Sequence, residues 1–559
     1  MADPDQPKFA HFEGVKETSI YHLYGQHDEV AREIHQDALR RFTGNDTLTV
    51  DLVEESPIVP ESMETLDHLQ EYDSVSVSSG VGLGSILFGG GIAGGELTNE
   101  YKRRFAEEDM PVYVVAAGNE GESNQVAMPR VADFARNSLI VGEANNNNGA
   151  PFVEKHSSRL NPTLSSDSPF NRGEAYQYYD TSPSLEGHED LVRKWVIDKQ
   201  VQIGIDLFKE QNKGLDEDSI NEGVGKIYYA LHEKYENNAD DIAWVDGQVQ
   251  TYMENPEALH EQVMAELREH TDIDENGYVT GIDGTSFSAP EQAGYISGAL
   301  YEQWEREEQN LPILTKDEIT TLAKMATIDV SAREGVDEPM GSYVNADGHE
   351  FVSGGGHGMF NPDMFRSLID EAYNKIGSDP DIDRESVTVV MSADIREGLR
   401  GDKDVTLENP TSRGQDVVVD RMRLDIDYDV DGTVPHHALV DKAGQGDVTV
   451  VRLQEANTRG TFHGWARIEK DFGETMPGGK DWSVRLHNGN DATHQGAQLT
   501  VYGYNEGGLM DQMMDYSKQL AADLKIQPET KPSGDVVTPD AVAPEVLGGD
   551  NNSTLPKGP

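Results

Sequence analysis

An α/β fold, a parallel sheet with helices on both faces followed by a β-sandwich, is predicted by three features of this 559-residue chain. Strand-like and helix-like segments alternate through the first part of the chain, the pattern of a parallel sheet joined by crossover helices. One of the strands, Val112–Gly118, is wholly apolar, as a strand buried on both faces must be. From Ser386 onward the pattern becomes short alternating strands separated by turn-rich segments, at sandwich-like spacing.

In order, residues 1–14 are polar and read as a flexible N-terminus. The segment Glu17–Tyr24 mixes aromatic and β-branched residues and reads as a strand, ended by Gly25. Gln26–Leu39 reads as a helix, with Val30, Ile34 and Ala38 recurring on one face. A strand at Thr47–Val53, a short helix near Ser62–Tyr72 and a strand at Ser74–Val77 follow. Then come a glycine-rich run over 80–95, a charged helix at Thr98–Glu108, the apolar strand, and a short strand at Asn137–Gly142. Residues 150–270 are helical in pattern, clearest at Leu191–Leu207 and Glu254–His270. They read as an insertion, either a lid or docking element or an elaborated surface. Helices are expected at Thr315–Ala326 and Leu509–Leu524, and 528–559, rich in Pro, Gly, Asp and Asn, is expected to be disordered.

Composition removes several function classes. With 102 acidic against 45 basic residues the net charge is −57, so nothing is available to neutralise phosphates and nucleic acid is not an expected partner. Such a charge reads as a solvated surface or as a cation-binding one. There is no cysteine, so disulfides and thiolate metal sites are excluded. No run approaches the roughly 18 apolar residues of a membrane span. The start, Met1 to Pro7, lacks the basic and apolar regions of a signal peptide, giving an expectation of a cytoplasmic location or a leaderless export route.

Two local patterns carry chemistry. In Gly284-Thr285-Ser286-Phe287-Ser288-Ala289-Pro290 a serine stands at the start of a helix, in the positive potential of unpaired N–H groups, which suits a nucleophile that becomes an acyl-enzyme. In Ala116-Ala117-Gly118-Asn119-Glu120-Gly121 a side-chain amide stands just beyond a buried strand, where open α/β sheets put their sites. A plain strand-ending turn is the alternative reading there.

Both patterns resemble the subtilisin family of serine peptidases, in the family's order, and the resemblance covers about 15–378. It implies a serine endopeptidase acting on a protein or peptide, with Ser286 as nucleophile and Asn119 stabilising the oxyanion. It further implies that Ser78, Ser79, Gly80 and Gly118 hold an extended substrate. Gly25 to Ala31 is similar to the family's histidine motif and nominates His27 as general base, although His27 lies three residues before Val30 where the family has four. The family's aspartate follows its first strand. At the end of Glu17–Tyr24 there is none, and Asp28, next to His27, is the nearest substitute. A competing reading is an inert structural or binding protein on the same fold, lacking the triad acid. The chemistry needs no cofactor. Asp272, Asp274, Asn276 and Asp283 have calcium-loop spacing, with Asp283 where such a loop prefers glutamate; calcium binding and an acidic turn are both open. Finally, Phe472–Leu486 and Gly496–Gly503 resemble the P domain that follows the catalytic domain in proprotein convertases, a jelly-roll over about 385–504.

Overall fold

The computed structural model describes residues 6–526 except 13–18, 54–67, 79–109, 120–136, 147–150, 155–156, 158–162, 215–216, 281, 283, 331–342, 345–349, 352–355, 395–397, 410–415, 431–436, 442–447, 453–459 and 469–471. The glycine-rich run, the helix expected at 98–108 and the tail beyond 526 lie outside it.

The first sheet contains β1 (Phe9–Phe12), β2 (Asp51–Val53), β3 (Ser74–Val77), β4 (Val112–Ala116), β5 (Ser138–Asn145), β6 (Phe152–Val153) and β7 (Leu164–Asp167), with two short strands at Thr327–Ile328 and Met359–Phe360. Its spine runs β2-β1-β3-β4-β5-β7 with every pairing parallel. β4 is buried along its whole length, as the apolar run predicts, and so is β3, although it alternates serine with valine.

Two corrections concern the start of the chain. Phe9–Phe12 is an inner strand of the sheet, not part of a flexible terminus, and Phe9 and Phe12 are core residues. Ile20–Tyr24, expected as a strand, is instead a short helix, α1. The residue that follows the true first strand is Glu13, outside the described residues. β1 lies beside β3 with Phe12 paired to Val77, one residue before Ser78.

Helix α2 (His27–Thr43) lies on one face of the sheet. Its core side comprises Val30, Ile34, Ala38 and Leu39, and Gly44 closes it in the left-handed conformation at φ 68°. The insertion is helical, as expected: α3 (Glu189–Gln211), α4 (Glu217–Asn237), α5 (Ala239–Glu254) and α6 (Pro256–His270). Val192, Val196, Val245, Leu259 and Val263 give it a core of its own, which also takes in Ile20 and Tyr24 of α1. Its stem is the two-stranded pair β8 (Tyr176–Gln177) and β9 (Tyr278–Val279).

Helix α7 (Thr285–Glu308) runs buried through the centre of the unit, packed on β3, β4 and β5. Its approach to α2 is set by glycine. A Cβ at Gly294 would come within 2.4 Å of the His35 carbonyl oxygen and 2.8 Å of the Leu39 nitrogen, and one at Gly298 within 2.4 Å of the Phe42 ring. At the same crossing the His35 imidazole is buried and its Nε2 lies 2.8 Å from Ser297 Oγ. Burial pushes the His35 pKa well below the ordinary imidazole value, and His11 and Arg32 push it in the same direction. The sign follows: below about pH 6.5 the unfolded chain binds a proton here that the folded chain refuses, so stability falls as pH falls. Denaturant titrations at pH 7 and pH 5.5 should show the protein less stable at the lower pH, His35 contributing at most about 1 kcal/mol per pH unit. A His35→Gln protein should show a correspondingly shallower decline.

Helices α8 (Lys316–Met325) and α9 (Pro362–Ser378) complete the unit. Among the described residues the C-terminal unit is an antiparallel sheet of eight strands organised around one 24-residue strand, Trp482–Asn505. That strand joins the two segments expected as separate strands. Its first part pairs with Gly398–Leu407 and His437–Asp441, and its second with Ser386–Asp394 and Val417–Val430. Helix α10 (Leu509–Ile526) then packs on α8 and α9, placing Met510 and Met513 in the core of the first unit. Lys324 of α8, only 2% exposed, meets Asp420 of the sheet strand Val417–Val430 at 3.0 Å.

Candidate active site

Ser286 sits in the first turn of α7 and is 8% exposed. Pro290, four residues on, has no N–H, so it cannot bond the Ser286 carbonyl as a helical residue would. That freed carbonyl accepts the Ser78 hydroxyl at 2.8 Å, and the Ser286 hydroxyl donates to the Ser78 carbonyl at 3.2 Å. The end of β3 is thereby fastened to the serine turn by a reciprocal pair, a consequence of the Ser-to-Pro spacing.

The end of β4 is fastened to the same turn through Thr285. Asn119 Oδ1 accepts the Thr285 N–H at 2.9 Å and its hydroxyl at 3.0 Å, while the Gly118 N–H donates to Thr285 Oγ1 at 3.1 Å. With Oδ1 so occupied, the Asn119 amide is oriented and its Nδ2 is the remaining hydrogen-bonding group. It lies 3.3 Å from where a Cβ on Gly284 would be. Gly118 has φ 101°, a conformation that needs glycine, and it lets the chain leave β4 toward α7. Asn119 itself is exposed.

His27 is the first residue of α2, with its side chain 28% exposed. Its ring stands against Phe287, the neighbour of Ser286, at 5.1 Å between centroids, and against Tyr178 at 6.3 Å. So Ser78 bonds Ser286 directly, Asn119 and Gly118 bond its neighbour Thr285, and His27 stands against its other neighbour, Phe287. The Asp28 carboxylate lies 3.9 Å from His27 Nδ1, beyond hydrogen-bond length. Ser79 and Gly80 lie outside the described residues.

One supporting group escaped the sequence reading. Glu291, one turn beyond Ser286, is buried; Arg172 bonds both its oxygens, at 2.6 and 3.1 Å, and Arg41 adds a contact at 3.4 Å. Burial raises the Glu291 pKa, against the lowering effect of the two guanidinium groups. A buried charge of this kind is costly unless paired, so the network ties the first turns of α7 to α2 and to the 3-10 turn Pro169–Arg172. The signal available was a single charged residue, Glu291, in the otherwise uncharged first part of the helix, 285–301.

In the expected calcium loop, the Asp274 carboxylate accepts the N–H groups of Asn276 and Tyr278, at 2.8 and 2.9 Å, and so closes a turn. Gly277 is needed there, since a Cβ would come within 1.9 Å of the Tyr179 carbonyl oxygen. Asp283 is outside the described residues. Among the described residues no group of three or more His, Asp or Glu converges as metal ligands would.

No protein-family model matches the sequence, and no curated protein matches it significantly. Solved structures do. A serine protease of Aeromonas sobria is 12% identical, with 82% of this chain aligned to 77% of that one at a TM-score of 0.44. The same protease in complex with its chaperone gives 0.46 at the same identity and coverage. The patellamide maturation protease PatA is 9% identical, with 65% of this chain aligned to 97% of that one at a TM-score of 0.29. At these scores the likeness adds no weight to the architecture, which rests on the strands and helices described above.

Proposed function

We propose that the chain is a subtilisin-like serine endopeptidase. One observation carries the reading: Asn119, held through its Oδ1 by Thr285, offers an amide donor beside Ser286 although the two are far apart in sequence. In this mechanism the Ser286 hydroxyl attacks a peptide carbonyl as His27 accepts its proton. The oxyanion is received by Asn119 Nδ2 and the Ser286 N–H in the first turn of α7. His27 then returns the proton to the leaving amine, and water releases the acyl group by the same steps. Ser78, at the end of β3, starts the backbone edge along which an extended substrate would add as a strand.

The orienting acid is assigned to Glu13. The family pattern puts a carboxylate after the first strand, and with that strand at Phe9–Phe12 the next residue in the chain is Glu13. Glutamate in place of aspartate explains why the motif is not visible by its letters. The antiparallel unit, with its buried Trp482, is read as a P-domain-like support.

A fluorophosphonate probe tests the proposal: after digestion the label is expected on the peptide carrying Ser286. Absence of labelling in the folded protein would favour the inert scaffold instead. Replacing Asn119 by alanine should lower kcat by about 10²–10³ with little change in KM, measured on a peptide substrate.

A further inference from the structure

The three residues before His27 are held by the insertion rather than by the sheet. The Gln26 N–H donates to the Tyr178 carbonyl at 2.7 Å, the Asp180 N–H donates to the Tyr24 carbonyl at 2.8 Å, and Gly25 and Tyr179 form a β-bridge between them. Tyr178–Asp180 is the extended link, just after β8, by which the chain enters the helices of the insertion. The Tyr24 side chain is fully buried in the insertion's core, where its hydroxyl lies 2.6 Å from His260 Nδ1 and its ring meets the imidazole edge-on. His260 belongs to α6, the last helix before the chain returns toward Ser286. Thus both ends of the insertion grip the same short link, and that link opens directly into the helix whose first residue is His27. Farther along, α2 is located by its close approach to Gly294 and Gly298, so the grip acts on the start of the helix.

We propose that the four-helix insertion is the positioning element for His27, with the Tyr24–His260 hydrogen bond as its latch. Tyr24 and His260 touch no reacting atom and act through the backbone at 24–26. The kinetic consequence rests on the serine-protease reading, but the mechanical one does not.

The test uses full-length protein and three variants: Tyr24→Phe, which removes only the hydroxyl, His260→Ala, and His260→Asn, which restores an acceptor near the Nδ1 position. Amide hydrogen exchange is read first. Tyr24→Phe and His260→Ala should each speed exchange at Gln26 and Val30 by about tenfold, leaving the rest of α2 unchanged, and His260→Asn should restore most of the protection. The double variant should be no faster than either single one, as expected for two halves of one bond. Unchanged exchange at Gln26 and Val30, or additive effects, would overturn the latch whether or not the protein is an enzyme. Kinetics follow: kcat and the rate of fluorophosphonate labelling should fall together by about tenfold, with KM unchanged and the acid limb of the pH profile displaced. A parent protein that never labels would sink the protease reading and leave the exchange result to decide the latch. Labelling and pH profile equal to those of the parent, with only a lowered Tm, would overturn the positioning role.

Discussion

Replacing Ser286 by alanine is expected to lower kcat by about 10⁶, to the rate supplied by binding and the oxyanion site alone. The substitution removes one hydroxyl whose hydrogen bond, to the Ser78 carbonyl at 3.2 Å, contributes about 1 kcal/mol. The reciprocal bond from Ser78 to the Ser286 carbonyl does not involve the deleted atom. Melting temperature should therefore fall by a few degrees at most while turnover and fluorophosphonate labelling vanish. Because Thr285 still holds Asn119, substrate KM should change little, so that the loss appears in kcat. A variant that keeps turnover within a few-fold of the parent would show that the hydrolysis comes from another group.

Glu13→Gln is expected to lower kcat by about 10⁴. Under the proposed assignment, the glutamine keeps the shape but lacks the charge that would stabilise the imidazolium, and it would allow the wrong tautomer of the base. The discriminating partner is Asp28→Asn. Asp28 lies on the same helical turn as His27 with its carboxylate 3.9 Å from Nδ1, so an effect within about threefold is expected from losing a screened neighbour. Steady-state kinetics on one peptide substrate, with both proteins checked for folding, decide between them. A 10⁴-fold loss in Asp28→Asn with Glu13→Gln unaffected would reverse the assignment.

The parts of the site visible in the sequence are those whose geometry is local. Gly284 to Pro290 encodes its own turn, helix start and freed carbonyl, and Ala116 to Asn119 encodes a buried strand and its exit, so both stood where expected. The first strand was hidden because Phe9–Phe12 is only four residues long and sits in a polar segment. Its strand state comes from pairing with β2 and β3, which are distant in sequence. Conversely, Glu17–Tyr24 has the composition of a strand, yet Ile20–Tyr24 turns into a helix. Ile20 and Tyr24, four residues apart, fall on one helical face and are buried by helices of the insertion. With Glu17–Tyr24 read as the first strand, Asp28 is the nearest carboxylate beyond its end; with Phe9–Phe12 as the first strand, Glu13 is. Glu291 and its arginines belong to three separate segments and could be joined only in space.

Glycine within a helix is ordinarily a place to gain stability, since alanine there is favoured by about 1 kcal/mol. At Gly294 that arithmetic runs backward. An added methyl group would meet main-chain atoms of the neighbouring helix, which cannot swing aside as a side chain can, and the two helices would have to part. One helix carries His27 and the other Ser286, so an alanine at Gly294 would move these two candidate site residues apart, whereas Gly225 and Gly247, with open space around them, could be replaced without that cost.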